Sequence, residues 1–289
     1  MKKLFITDFD GTLLTDDRTV SQRDIRMLER LRQNHVHTAI ATGRSLYSLT
    51  KALEALCLAR GAGCLPVDYL IFSTGAGIMR FESSRMLFEQ SLPGKEIQGI
   101  VAYFKSKDID FMVHKAIPDT RHFFYHATGK GNPDFEHRIR MYQAYSRPLP
   151  DIWDAETPAT EVLAILPGRH GHDRVARIQE DLKGFSVIHA TSPLDRESAW
   201  VEVFHQNVSK SRAARYLARH LAVDRCNVIG VGNDFNDQDL LDWSGRSFMV
   251  ENGPERLKSR YEVVPENNRC GVSRAVELSG WLDLPDGSG

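Results

Sequence analysis

The chain lacks any apolar run as long as a bilayer-crossing helix needs. A membrane partner is therefore not expected. It also lacks a charge of one sign: 37 basic and 38 acidic residues leave a formal net charge of −1. That balance carries no global bias toward nucleic acid or anionic lipid. Four cysteines, Cys57, Cys64, Cys226 and Cys270, form no Cys-x-x-Cys pair. In a chain of 289 residues they read as reduced cytosolic thiols rather than a disulfide frame. The N-terminus is basic and then apolar, as a secretory signal begins, but Asp8 and Asp10 interrupt it at once. No signal is expected, and the location is read as cytoplasmic. The pairs His35/His37 and His170/His172 have no further ligands at useful spacing, so a zinc site is not expected.

What the chain has is the composition of a globular protein, 42% hydrophobic and 26% charged. Its most informative stretch is Asp8-Phe-Asp-Gly-Thr-Leu-Leu14, directly after the apolar run Leu4, Phe5, Ile6. A short apolar run of this kind predicts a buried strand. Two carboxylates two residues apart at its carboxyl end, Asp8 and Asp10, suit linked tasks. One can attack phosphorus or hold a hard cation, and the other can move a proton.

The elements alternate. Strand 4–7, helix 22–34, strand 36–41, helix 45–59 and strand 69–73 precede a turn at Thr74-Gly75-Ala76-Gly77. This order predicts an α/β fold with a parallel sheet and right-handed crossovers. Ligands of such sheets gather at the carboxyl ends of the strands, which would bring Asp8, Thr42, Thr74 and the loop after Val231 to one rim.

Asp-x-Asp-Gly-Thr-Leu resembles the nucleophile motif of the haloacid dehalogenase-like phosphohydrolases, and three further motifs resemble theirs in order. Residues 36–44 end in Thr42-Gly43-Arg44, like the phosphate-binding second motif. Asn207-Val-Ser-Lys210 opens a helical pattern, like the third. Residues 227–241 contain Gly232-Asn-Asp-Phe-Asn-Asp237, like the acidic metal loop. The resemblance implies a Rossmann-like parallel-sheet core made of residues 1–82 and 196–289, with an inserted α+β cap over 83–195. The insertion resembles the large cap of the sugar-phosphatase branch, which includes sucrose-phosphate and mannosyl-phosphoglycerate phosphatases. Within it, 115–150 reads as a long polar and aromatic excursion, and Arg121, His114, His122 and His126 as solvated cap surface, with contact to a substrate under the cap as the alternative. The aromatic residues read as cap core.

The resemblance implies a Mg²⁺-dependent phosphomonoesterase acting on a small phosphorylated metabolite, most plausibly a sugar phosphate. Asp8 would be the nucleophile and a metal ligand. The Asp10 carboxyl would be the acid and base, and its backbone carbonyl would bind the metal. Thr42, Gly43, Arg44 and Lys210 would hold the phosphate. The metal loop departs from the family's Gly-Asp-x-x-Asn-Asp by placing Asn233 where a direct Asp ligand normally sits. Asn233 and Asp237 are the expected loop ligands, with Asp234 the alternative. A phosphomutase, a phosphonatase using Lys95, Lys105 or Lys107, and a metabolite-binding protein with impaired catalysis are the other readings. The sequence carries no signal for oligomeric state.

Overall fold

In the computed structural model, which describes residues 1–60, 65–168, 170–192 and 194–282, the first apolar run forms β1 (Lys3–Thr7). Leu4, Phe5 and Ile6 are wholly buried, as a strand covered on both faces requires. Helix α1 (Gln22–Gln33) is started by Ser21, whose hydroxyl accepts the Asp24 backbone N–H at 3.0 Å. Then come β2 (Val36–Ala41), α2 (Leu46–Arg60), β3 (Tyr69–Phe72), β4 (Gly77–Arg80) and β5 (Arg85–Glu89). The chain continues through α3 (Gly94–Ser106), β6 (Phe111–Lys115), β7 (Phe123–His126), α4 (Pro133–Met141) and β8 (Ser146–Pro148). Next are β9 (Ala159–Leu166), α5 (Gly171–Asp181), β10 (Ser186–Thr191) and β11 (Ala199–Phe204). It finishes with α6 (Lys210–Leu221), β12 (Val228–Gly232), α7 (Gln238–Trp243), β13 (Arg246–Val250), α8 (Glu255–Lys258), β14 (Glu262–Val264) and α9 (Gly271–Ser279).

The chain divides into two units. The first comprises Met1–Arg44, Leu49–Phe88 and the chain from Lys210 onward; the second comprises Ser45–Ser48 and Glu89–Ser209. The sheet of the first runs β14-β13-β12-β1-β2-β3-β4-β5. Its strands are parallel from β14 to β3, and β4 turns back antiparallel to β3. The chain leaves β1 toward β2 on one side and returns as β12 on the other. That reversal of strand order opens a crevice beyond the carboxyl end of β1, the place where such sheets bind ligands.

The second unit is the α+β cap, with a sheet in the order β10-β11-β9-β6-β7-β8. Apolar residues of α3 and α5 pack on one face with Phe111, Val113, Val162 and Val201. Phe135 of α4 packs on the other with Met112, Leu163 and Trp200. Phe104, Phe111, Phe123 and Phe135 are fully buried, so these aromatic residues are cap core. The excursion expected over 115–150 is instead ordered by β7, α4 and β8. Asn132 starts α4 by accepting the Phe135 N–H, and Pro133 occupies its first turn. β7 is only four residues long and is held by β6 on one side and β8 on the other. His114, expected on the surface, is 3% exposed. It lies on a strand face covered by the chain that the excursion reading had left loose.

Across β6 and β9, His114 is paired with Glu161. Glu161 is buried and its carboxyl makes no hydrogen bond among the described residues; burial and the neighbouring Glu202 hold that carboxyl well above the usual range, while Arg138 opposes them. A carboxyl whose folded pKa is raised contributes stability below its unfolded value of 4.5. That contribution is lost as pH rises through the folded value. Glu161→Gln keeps the volume and removes the charge. We expect its melting temperature to exceed that of the parent at pH 8 and to match it at pH 4.5, read by circular dichroism across pH. A parent whose stability is flat over that range would rule out a buried Glu161 carboxyl as the cause.

Candidate active site

Asp8 follows β1 without a break, its N–H donating to the Val231 carbonyl of β12 at 2.8 Å. Two strands therefore hold its backbone in the crevice. Asp8 is 4% exposed. Lys210, the first residue of α6, is wholly buried and donates to Asp8 Oδ1 at 2.7 Å and to Asp237 Oδ1 at 2.6 Å. One ammonium thus serves two buried carboxylates. Burial and Asp237 push the Asp8 carboxyl up to about 7, outweighing the pull of Lys210. Burial would lower the Lys210 pKa, but Asp237 and Asp8 more than reverse this and keep it charged. The arrangement retains an excess of negative charge.

Asp237, expected as a metal ligand, has both oxygens engaged. Oδ1 takes Lys210, and Oδ2 accepts the backbone N–H groups of Asn233 and Asp234 at 2.9 and 3.1 Å. Asp234 accepts the Asp237 N–H in return, closing a capping box that shapes the loop after β12. Asp237 therefore positions Lys210 and the loop. Asn233 packs against Gly11: a Cβ on Gly11 would lie 2.5 Å from Asn233 Nδ2, and Gly11 has φ +71°. Only glycine fits that turn comfortably. The Asn233 side chain makes no hydrogen bond among the described residues.

Asp10 is not beside Lys210. Arg44 forks it, Nε donating to Oδ2 at 2.7 Å and an Nη to Oδ1 at 2.6 Å. Arg44, expected on phosphate, thus occupies the carboxylate expected to serve as acid and base. Such a fork fits carboxylate and phosphate alike, so a phosphate arriving here would compete with Asp10 for the same guanidinium. Thr42 follows β2 and is buried; its hydroxyl oxygen accepts the Arg44 N–H at 3.1 Å. That leaves the hydroxyl proton without an acceptor among the described residues. Gly43 lies half-buried at the bend between them.

Two supports had no signal in the sequence. Asn252, two residues beyond β13, donates from Nδ2 to the Gly11 carbonyl at 2.8 Å and accepts the Asn267 N–H at 3.2 Å. Asn267 in turn donates to the Leu14 carbonyl at 3.0 Å. Together they pin the loop that carries Asp8 and Asp10 from more than 200 residues away. At the end of β3, Ser73 and Thr74 have φ of 46° and 53°, a strained region for non-glycine residues. The Ser73 hydroxyl is buried without a partner among the described residues, as is that of Thr12.

The family model of haloacid dehalogenase-like hydrolases matches residues 5–276. The chain belongs to that family. Among its relatives is the HMP-PP phosphatase of Escherichia coli O6:H1, 26% identical over 288 residues that cover 99% of this chain and 97% of that protein. The subclass IIB sugar phosphatase BT4131 superposes with a TM-score of 0.73 at 15% identity, covering 97% of this chain and all of that one. The phosphatase BT1666 from Bacteroides thetaiotaomicron superposes with a TM-score of 0.72 at 18% identity, covering 98% and 96%. These two likenesses are of fold: a Rossmann-like parallel-sheet core with a cap. The enzyme class expected from the motifs, phosphoric monoester hydrolysis, agrees with the family and with the phosphatase names of these relatives. No helix among the described residues is long and apolar enough to cross a membrane.

Proposed function

We propose that this enzyme hydrolyses small phosphorylated metabolites through an aspartyl-phosphate on Asp8. The observation that carries the reading is the buried Asp8–Lys210–Asp237 array at the strand-order reversal. The Asp8 oxygen not bonded to Lys210 attacks phosphorus, and the bond to the leaving oxygen breaks. Asp10, released from Arg44, takes up a proton from water and gives it to that oxygen. Asp10 then takes a proton from water, whose oxygen attacks the phosphorus and frees Asp8 and inorganic phosphate. Lys210 holds the Asp8 oxygen that does not attack, and its charge lies against the phosphoryl group as negative charge builds. Arg44 and the Thr42 hydroxyl hold the phosphate, with Gly43 letting the chain turn closely between them.

Mg²⁺ fits the donors at this site. The Asp8 oxygen that does not attack, the Asp10 carbonyl and the Asn233 amide oxygen would form a set of hard oxygens, and Asp8 and Asp237 share one ammonium. Only one of these donors is a carboxylate, consistent with the absence, among the described residues, of any metal-binding group of three or more His, Cys, Asp or Glu side chains. When bound, the ion would neutralise phosphate charge and orient the attack. Sugar phosphates are the substrate class we favour, supported by the fold shared with a sugar phosphatase. We place the enzyme in the cytoplasm, on the free thiols of Cys226 and Cys270; Cys64 lies outside the described residues. Phosphate release from a panel of phosphorylated metabolites, with and without Mg²⁺, tests this reading. No Mg²⁺-dependent release from any member would overturn it.

One observation favours impaired metal binding: the neutral Asn233 where the family places a carboxylate. Asn233→Asp is expected to lower the Mg²⁺ concentration giving half-maximal activity by about tenfold, one added charge–cation contact in a partly screened site. Asp234→Ala is expected to leave it nearly unchanged, because that carboxylate caps the loop. The titration curves of the two variants check the assignment, and a shift in Asp234→Ala alone would move the ligand to Asp234.

A further inference from the structure

One carboxylate next to the buried array has no part in the proposed chemistry. Lys210 is the first residue of α6. Helix ends fray, because the opening N–H groups have no partner within the helix. The first turn of α6 holds no acidic residue of its own. Asp239, in the first turn of α7, supplies one: its Oδ2 accepts the Ser211 N–H at 3.0 Å. A carboxylate on a helix-opening N–H makes a charge-assisted bond and is favoured by the helix dipole.

Residues 237–239 therefore grip the start of α6 at two consecutive positions. Asp237 takes the Lys210 ammonium at 2.6 Å, and Asp239 takes the backbone of the next residue. α7 is itself seated on α6, since the wholly buried Leu240 packs in one cluster with Ala213, Ala214 and Leu217. A lysine ammonium hangs on a flexible four-carbon stem. Its bonds to Asp8 and Asp237 fix it only as well as the backbone that carries it is fixed.

We propose that Asp239 is a positioning residue for Lys210, holding the first turn of α6 so that the ammonium stays between Asp8 and Asp237. Its effect on turnover rests on the phosphatase reading above; its hold on Lys210 does not. Two variants of the full chain test it. Asp239→Ala removes the acceptor, whereas Asp239→Asn keeps an amide oxygen that still accepts the Ser211 N–H. Asp239 is half-buried, and both variants are compared with the parent well below their melting temperatures.

The first readout is acetylation of Lys210 by N-hydroxysuccinimidyl acetate, followed by mass spectrometry, with the exposed Lys95 and Lys183 reporting the reagent alone. Lys210 is wholly buried and should label slowly in the parent. Asp239→Ala is expected to raise its rate about fivefold, the worth of a helix cap, and Asp239→Asn to stay within about twofold of the parent. The second readout is steady-state phosphate release. Asp239→Ala is expected to lower kcat about tenfold with KM within about twofold, because the displaced charge acts as negative charge builds on the phosphoryl group. Asp239→Asn should restore kcat to within about twofold of the parent. A residue that served only stability would lower the melting temperature and leave kcat unchanged below it. Unchanged Lys210 labelling or unchanged kcat in Asp239→Ala, or an Asp239→Asn that fares no better, overturns the proposal. If labelling follows the expected order but the parent releases no phosphate from any metabolite, the hold on Lys210 stands and the phosphatase reading falls.

Discussion

Asp8→Asn is expected to cut phosphate release by about a thousandfold or more, because the amide cannot form the covalent intermediate. Asn matches Asp in size, and Lys210 keeps Asp237 as a partner, so the fold should persist. Stability separates this from simple damage. Burial and Asp237 push the Asp8 carboxyl up to about 7 from 3.8. A raised carboxyl contributes stability that is full below 3.8 and is lost as pH rises through about 7. Without divalent metal, the variant should therefore melt at or above the parent at pH 8, and show no such gain near pH 4. Turnover close to that of the parent would sink the mechanism. Lost turnover with a collapsed melting temperature at every pH would make Asp8 a structural residue instead.

Lys210→Met should have the largest effect on stability. Lys210 has no solvent exposure and bridges Asp8 and Asp237 at 2.7 and 2.6 Å. Removing the cation leaves two buried carboxylates facing each other, and breaking a buried pair from one side costs about 3–5 kcal/mol. The loss should be greatest above pH 7 and should shrink in acid, where the carboxylates take up protons. Adding Asp237→Asn should restore much of it by removing one stranded charge. Activity should fall about a hundredfold or more in the single variant and stay low in the double, since the positive charge beside the phosphoryl group is gone from both. Urea unfolding at pH 5 and pH 8 measures the first effect and phosphate release the second. A loss under about 1 kcal/mol at pH 8 would show that Lys210 is not holding the two carboxylates together.

The inserted cap was partly legible. Helices near 95–107 and 173–183 and the strand over 161–166 announce themselves by periodicity and apolar content, and they appear as α3, α5 and β9. The stretch 115–150 did not. β7 and β8 are four and three residues long, too short to show a period, and they exist because β6 offers a paired edge. His114 shows the same limit. Nothing local distinguishes it from His122 or His126, and its burial follows from which side of β6 it faces.

The active-site elements divide along the same line. The sequence by itself determined the parallel core and the residues carrying the chemistry, because these are local properties: apolar runs ending in Asp8, Thr42 and Asn233, and a helix opening at Lys210. Only the tertiary structure decided how those residues share their charges. Lys210 joins Asp8 across 202 residues, Asp237 spends both oxygens on Lys210 and the loop backbone, and Arg44 takes Asp10. Asn252 and Asn267 steady the Asp8–Leu14 loop from the far end of the chain. Charge and hydrogen-bond partnerships depend on distances of a few ångströms between segments remote in the chain. A motif names the groups that meet at the crevice; the packing of β1, β2, β12 and α6 sets which of them pair.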